Sequence, residues 1–207
     1  MQKFPLKTFK NTSTFAEKYF EEISIVSKKL ELKKVGKISG ILEKLYLKKK
    51  NIFICGNGGS ASISNHFLCD HQKGISTDTK LLPGIISLST NIEIITAISN
   101  DMSYDQIFSF QLSRLAKPGD GLITISSSGN SKNIISAIKW AKSNNVVTIS
   151  LNGFDGGYAK KKSDISINVP SSNYGIVEDI HQSIMHIISQ SLRMKFLYRK
   201  NIDKIYF

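Results

Sequence analysis

Apolar residues recur at three- and four-residue steps through Phe15, Tyr19, Ile23 and Val26, and again through Leu32, Val35, Ile38, Ile41, Leu42 and Leu45. That spacing predicts a pair of helices between about residues 14 and 49, the second weakened by Gly36 and Gly40. Beyond residue 50 the rhythm changes. Short β-branched runs appear at Ile52-Phe53-Ile54, Ile85-Ile86-Ser87-Leu88, Leu122-Ile123-Thr124-Ile125, Val146-Val147-Thr148-Ile149 and Ile165-Ser166-Ile167-Asn168-Val169. Helical patterns lie between most of them, over 60–71, 91–98, 104–116 and 131–144, and a last one runs over 176–198. Strands alternating with helices predict an α/β, doubly wound, five-stranded parallel sheet with helices on both faces. Pro118-Gly119-Asp120 and the stretch 152–157, NGFDGG, are turn signals between units. The expected organisation is an N-terminal helical extension over 1–50, one globular unit over 51–198 and a C-terminal tail over 199–207.

Ligands of open parallel sheets bind outside the carboxyl ends of the strands, and two such ends carry unusual loops. Cys55-Gly56-Asn57-Gly58-Gly59-Ser60 follows the first run, and Ser126-Ser127-Ser128-Gly129-Asn130-Ser131 follows the third. Each offers glycines for tight backbone geometry and hydroxyls beside a helix start, where free N–H groups and the helix dipole favour an anion. Either loop alone reads equally as an ordinary strand-to-helix turn with a Ser or Asn cap. Together, and without a Walker lysine, they suit a monophosphate better than a nucleoside triphosphate. Residues 56–61 also satisfy the relaxed dinucleotide pattern G-x-G-x-x-A, which requires an acidic residue ending the next strand. That strand ends Leu88-Ser89-Thr90 instead, so no nucleotide cofactor is expected.

Two of the expected helices carry ionisable faces. His66 and Asp70 stand four residues apart and share a face, with His71 turned about 100° away. On the last helix Ile176, Ile180, Ile184, Ile188 and Leu192 form an apolar seam, while Glu178, Gln182 and His186 form a polar row of the same spacing. Imidazole and carboxylate on one face serve general acid–base chemistry or bind a divalent metal; a solvated polar stripe is the plainer reading. Glu178 and His186 are about 12 Å apart along the axis. They share one ion only by reaching toward each other or by drawing ligands from different chains.

Composition narrows the field. A chain of 207 residues with 41 % hydrophobic positions is long enough for one packed domain and an added element. No apolar run approaches a membrane span, and no apolar stretch with a cleavage site follows the basic N-terminus, so neither membrane nor secretion is expected. With only Cys55 and Cys69 present, a disulfide framework is not expected and a reducing cytoplasm is. The net charge of +12 raises nucleic acid as a partner. However, the excess is scattered lysine, clustered only at 48–50 and 160–162, rather than the arginine that bidentate phosphate and base contacts favour, so no nucleic acid is expected.

Taken in order, these motifs resemble the sugar isomerase (SIS) domain, and within it the phosphoheptose isomerases. The resemblance runs from about residue 14 to 195. It covers the N-terminal helices, CGNGGS at 55–60, Asn100-Asp101, Gly119-Asp120, SSSGNS at 126–131, NGFDGG at 152–157, and Glu178-Asp179-Ile180-His181. It implies a flavodoxin-like SIS fold and a homotetramer with active sites at subunit interfaces. It also implies isomerisation of sedoheptulose 7-phosphate to D-glycero-D-manno-heptose 7-phosphate, an early step toward nucleotide-activated heptose for surface polysaccharide such as lipopolysaccharide or capsule.

By position, the resemblance assigns the phosphate to Ser60, Ser126, Ser127, Ser128 and Ser131, together with the Gly58-Gly59 backbone. It places Asn57, Asn100 and Asp101 against the sugar, and Glu178 at the substrate. His66, Asp70, Glu178 and His186 fall where the family holds zinc, with Asp70 and His186 at the acid–base positions. The chain departs from the family where Asp70 replaces a glutamate, Glu178 a glutamine ligand, and Gly175 an aspartate. Non-catalytic SIS proteins, whether phosphosugar sensors or partners of a replication initiator, generally lack the His/carboxylate set, so its retention here points to an enzyme.

Overall fold

The structure, a computed structural model, describes residues 3–77, 79–198, 202 and 205; the rest of the tail expected at 199–207 lies outside the described residues. Two helices, α1 (Thr12–Ser27) and α2 (Leu32–Leu47), lead into β1 (Asn51–Gly56) and α3 (Gly59–Cys69), which continues as a π-helical turn over Asp70–Ile75. Next come β2 (Gly84–Ser87), α4 (Ile92–Asp101), a single 3₁₀ turn at Tyr104–Gln106, α5 (Ile107–Leu115), β3 (Gly121–Ser126) and α6 (Lys132–Ser143). The chain finishes with β4 (Val147–Asn152), α7 (Gly157–Lys162), β5 (Ile165–Asn168) and α8 (Tyr174–Phe196). The expected α/β architecture is present: a five-stranded sheet in the order β2-β1-β3-β4-β5, parallel at every pairing.

Alternation along the strands sorts the side chains into two layers. Ile52, Ile54, Ile123, Ile125, Ile149 and Leu151 point to one face, where they pack with Leu42 and Leu45 of α2, Ile63 and Phe67 of α3, and the seam Ile176, Ile180, Ile184, Ile188 and Leu192 of α8. Phe53, Cys55 and Leu122 point to the other, against Ile107, Phe108 and Leu112 of α5 and Ile134, Ala137, Ile138 and Ala141 of α6. Val26 of α1 joins the first layer, so the N-terminal helices share a core with the sheet. Cys55 is fully buried there and Cys69 is free and exposed. Among the described residues no helix is long and apolar enough to cross a membrane.

Two local features depart from expectation. The helix expected over 60–71 is α-helical only to Cys69 and then widens into the π turn. Within it His71 turns into the interior: it stacks on Phe67 with ring centroids 3.8 Å apart, and its Nδ1 lies 2.5 Å from the Tyr46 hydroxyl of α2. The buried ring is thereby held against α2 at the start of the π turn, and π segments are frequent near functional sites. The second departure is α7, a six-residue helix where only turn residues were apparent; it opens on Gly156 and Gly157, both at positive φ.

His181 of α8 is wholly buried and its Nε2–H donates to the Asn152 carbonyl at the end of β4, at 3.0 Å. Burial lowers its pKa from 6.5 to about 4. The unfolded chain therefore binds the proton first, and stability present above about pH 6.5 is lost as pH falls toward 4. We expect His181→Gln to remove about 2–3 kcal/mol of the difference in unfolding free energy between pH 7 and pH 4.5, read from urea melts. Identical pH dependence in both proteins would contradict this account of the buried ring.

Candidate functional site

Parallel pairing of β1 with β3 sets Cys55 beside Thr124 and Gly56 beside Ile125, so the loops leaving these strands emerge side by side. Their floor is a recess of about 130 Å³ lined by Asn57, Ser60, Ser126, Ser127, Ser128, Ser131, Tyr174 and Glu178, with Ile125 beneath. Backbone geometry makes the loops possible. Gly58, the N-cap of α3, has φ +55, a region side chains rarely adopt. Gly129 combines φ +62 with so close an approach to the Gly156 carbonyl that a Cβ would overlap it.

The polar groups in this recess are arranged toward a ligand. Asn57 is clamped by a reciprocal amide pair with Asn133, at 3.0 and 2.9 Å, and accepts from the Tyr104 hydroxyl at 3.0 Å. Ser89 braces Gly56 by donating to its carbonyl and accepting from its N–H. Ser126 Oγ accepts from the Gly129 N–H at 3.1 Å. By contrast, Ser131 caps α6 without a side-chain hydrogen bond to it. Ser127 Oγ is buried with no partner among the described residues, and such a group ordinarily finds one. With two helix N-termini beside these hydroxyls, the recess suits a phosphate-sized anion. Glu178 is the exception in sign: its carboxylate lies where a Cβ on Gly59 would overlap it, and burial, with Asp179 nearby, raises its pKa.

A second recess, of about 320 Å³, lies further along α8 and is lined by His66, Asp70, His186, Gly74, Ile75, Ser189, Gln190 and Arg193. His66 Nε2 is 3.2 Å from Asp70 Oδ1 and His186 Nε2 is 3.6 Å from Asp70 Oδ2. The two imidazoles stand edge to face, with centroids 5.0 Å apart. One ligand atom from each of the three lies within 4.8 Å of the others. Ligands about 2.0–2.1 Å from a tetrahedral zinc stand about 3.3 Å from one another, so the separations and the N₂O donor set fit such an ion. Glu178, expected as a fourth ligand, is not in this cluster, because it sits two helical turns away with the serine loops. Asn100 and Asp101, expected at the sugar, lie exposed at the end of α4, where Asn100 donates to Asp101 at 2.8 Å, outside both recesses of the single chain.

Comparison with known proteins decides the family. The SIS domain model matches residues 18–153. The chain is 38 % identical over 181 residues, 87 % of its length and 99 % of the relative's, to a probable phosphoheptose isomerase of Thermoplasma acidophilum. The chain belongs to the SIS domain family, among its phosphoheptose isomerases. It is also 38 % identical over 173 residues, 84 % of this chain and 87 % of the relative, to the phosphoheptose isomerase of Clostridium acetobutylicum. Among solved structures, a phosphoheptose isomerase from Francisella tularensis superposes with a TM-score of 0.83 at 26 % identity, covering 89 % of this chain and 99 % of that one. That from Neisseria gonorrhoeae gives 0.81 at 27 %, covering 89 % and 100 %.

Within this phosphoheptose isomerase framework, sequence spacing had placed Gln182 in the polar row of α8 without singling it out. Its amide Nε2 lies 2.7 Å from His66 Nδ1 and 3.1 Å from His186 Nε2. Tyr174, at the start of the same helix, lines the serine recess. Only its place one turn before Glu178 could have drawn attention to it.

The Glu178 charge yields a measurable consequence. As pH rises through its elevated titration, the carboxylate becomes a like charge beside any bound anion. Sulfate, dianionic throughout, should bind more weakly at pH 8 than at pH 5, and Glu178→Gln should bind it about fivefold more tightly at pH 8, a repulsion of about 1 kcal/mol. Equal sulfate affinity of the two proteins at pH 8, measured calorimetrically, would place the anion elsewhere.

Proposed function

We propose that this chain interconverts sedoheptulose 7-phosphate and D-glycero-D-manno-heptose 7-phosphate, in the cytoplasm, at the start of a route to nucleotide-activated heptose. The observation that carries this reading is the pairing of an anion recess with a His/Asp/His cluster at the two ends of one face of α8. Glu178 lines the first and His186 the second, about 12 Å apart along the axis. A substrate with phosphate at one end and a carbonyl at the other needs such a pair of stations. A site that only bound phosphosugar would have no use for the second.

In this reading Ser60, Ser126, Ser127, Ser128 and Ser131, with the Gly58-Gly59 backbone, hold the phosphate, and Asn57 meets the sugar. The ketose loses a proton from C1 while its C2 oxygen gains one, giving an enediol; the C1 hydroxyl then loses its proton as C2 is protonated, and the aldose results. Asp70 and His186 carry these protons, since a carboxylate and an imidazole 3.6 Å apart can alternate as acceptor and donor. His66, 3.2 Å from the same carboxylate, orients it. Zinc would be held by His66, Asp70 and His186 and would polarise the carbonyl, stabilising the negative charge that develops on oxygen. A nitrogen that binds an ion has no lone pair left for a proton, so His186 serves both roles only through its two different ring nitrogens. A homotetramer with interfacial sites would bring Asn100 and Asp101 to a neighbouring chain's sugar, accounting for two polar residues left at the surface of one chain.

A coupled assay on sedoheptulose 7-phosphate should show turnover by the zinc-loaded protein. Asp70→Asn and His186→Ala should each lower kcat by about 100- to 10,000-fold, while sugar-phosphate binding persists. Ser127→Ala should instead raise KM, the loss of a hydroxyl to the phosphate costing about 1–3 kcal/mol. Absence of turnover in the wild type, or full activity in both acid–base variants, would overturn the proposal.

A further inference from the structure

We infer that Tyr104 is a positioning residue for the sugar: its hydroxyl, by occupying Asn57 Oδ1, leaves the Asn57 amide one free N–H for the substrate. This rests on the reading above that Asn57 meets the sugar beside the serine loops.

Three separate elements meet at this amide. Asn57 lies in the loop after β1, Asn133 in the first turn of α6, and Tyr104 in the 3₁₀ turn that follows α4. Which way round the groups bond is settled at the buried end. The Ile134 N–H, which can only donate, meets Asn133 Oδ1 at 2.9 Å, and Asn133 is 1 % exposed. Asn133 therefore turns its oxygen to that N–H, and the same oxygen accepts from Asn57 Nδ2 at 3.0 Å. In return Asn133 Nδ2 donates to Asn57 Oδ1 at 2.9 Å. With the amide fixed in this sense, the Tyr104 hydroxyl meets an oxygen at 3.0 Å and must donate to it.

The groups left over on Asn57 give the consequence. A carbonyl oxygen has two lone pairs and an amide nitrogen two hydrogens. Both lone pairs of Oδ1 are taken, one by Asn133 and one by Tyr104, and one hydrogen of Nδ2 goes to Asn133. The second hydrogen has no acceptor among the described residues, and Asn57 lines the recess with Ser60 and Ser126. Anchored by Asn133 alone, Asn57 would offer a ligand both a donor and an acceptor. Tyr104 removes the acceptor and holds the side chain from a second side, so Asn57 recognises only an oxygen that accepts. Two hydrogen bonds to one amide oxygen also polarise the group and strengthen its remaining N–H as a donor. Tyr104 itself is exposed and lines neither recess, so it acts on the sugar through Asn57.

The test compares zinc-loaded wild type, Tyr104→Phe, Asn57→Ala and the double variant, each confirmed as folded by its thermal melt. Calorimetry measures affinity for sedoheptulose 7-phosphate and for inorganic phosphate, and the coupled assay gives KM and kcat. Tyr104→Phe keeps the ring and removes the hydroxyl. It should weaken sedoheptulose 7-phosphate binding and raise KM about fivefold, the loss expected for one neutral hydrogen bond. Inorganic phosphate should bind as before, and kcat should stay within about twofold of wild type, since the bond serves ground state and transition state alike. In the Asn57→Ala background the same substitution should change nothing, because the two residues act as one unit. Additive effects, an unchanged KM, or equal weakening for inorganic phosphate would overturn the assignment. So would a fall in kcat at unchanged KM. Failure of the isomerase reading shows separately, as a wild type without turnover, and the calorimetric cycle then still decides the role of Tyr104. A wild type that binds inorganic phosphate but not the sugar phosphate would overturn the premise itself, before any variant is compared.

Discussion

The parallel pairing of β1 with β3 is the constraint on which the rest depends. With β2 on one side of β1 and β3 on the other, the chain order reverses at β1, and the helices that follow β1 and β3 depart to opposite faces of the sheet. That leaves a crevice at the carboxyl ends, the place where open α/β sheets bind ligands. Register does the remainder: a one-residue slip would turn Ile54 and Ile125 out of one layer and Cys55 and Thr124 out of the other. The apolar pattern that stabilises the sheet is therefore the same pattern that holds the two serine loops side by side.

Helix α8 converts this crevice into a site with two stations. One row of the helix is an isoleucine seam buried against the sheet, which fixes its rotation. The polar row beside it then projects toward α3 and the π turn, offering Glu178 to the serine loops and Gln182 and His186 to His66 and Asp70. Fixing the rotation of one helix thus sets three polar side chains at once. The π turn does the same from the opposite side. His71, buried between Phe67 and Tyr46, anchors the segment that begins at Asp70, so a neutral interior ring helps to position a carboxylate at the surface.

The fold was largely legible because its signals are local and repeated. β-Branched runs marked all five strands, and glycine- and serine-rich punctuation marked both loops at strand ends. What escaped the sequence depended on contacts between distant residues or on elements too short for periodicity. The π turn carries a contact between residues 46 and 71, which no window along the chain contains. Helix α7 has six residues and no apolar repeat. Spacing put His66 and Asp70 on one face, and they do meet; it gave Glu178 and Gln182 the same standing, because the helix repeat does not say which neighbour each turn will face. The placement of α3 against α8 divides them, sending the carboxylate to the serine loops and the amide to the imidazoles.

The central claim is that the cluster of His66, Asp70 and His186, gathered from α3, the π turn and α8, performs proton transfer on a sugar phosphate held by the serine loops. Its most direct test is proton NMR of sedoheptulose 7-phosphate in D₂O with the zinc-loaded protein. The account predicts the appearance of the aldose, with deuterium incorporated at C2 from an enediol that exchanges its proton with solvent through Asp70 and His186. A ketose spectrum unchanged over hours at micromolar protein, or aldose that carries only protium at C2, would contradict it.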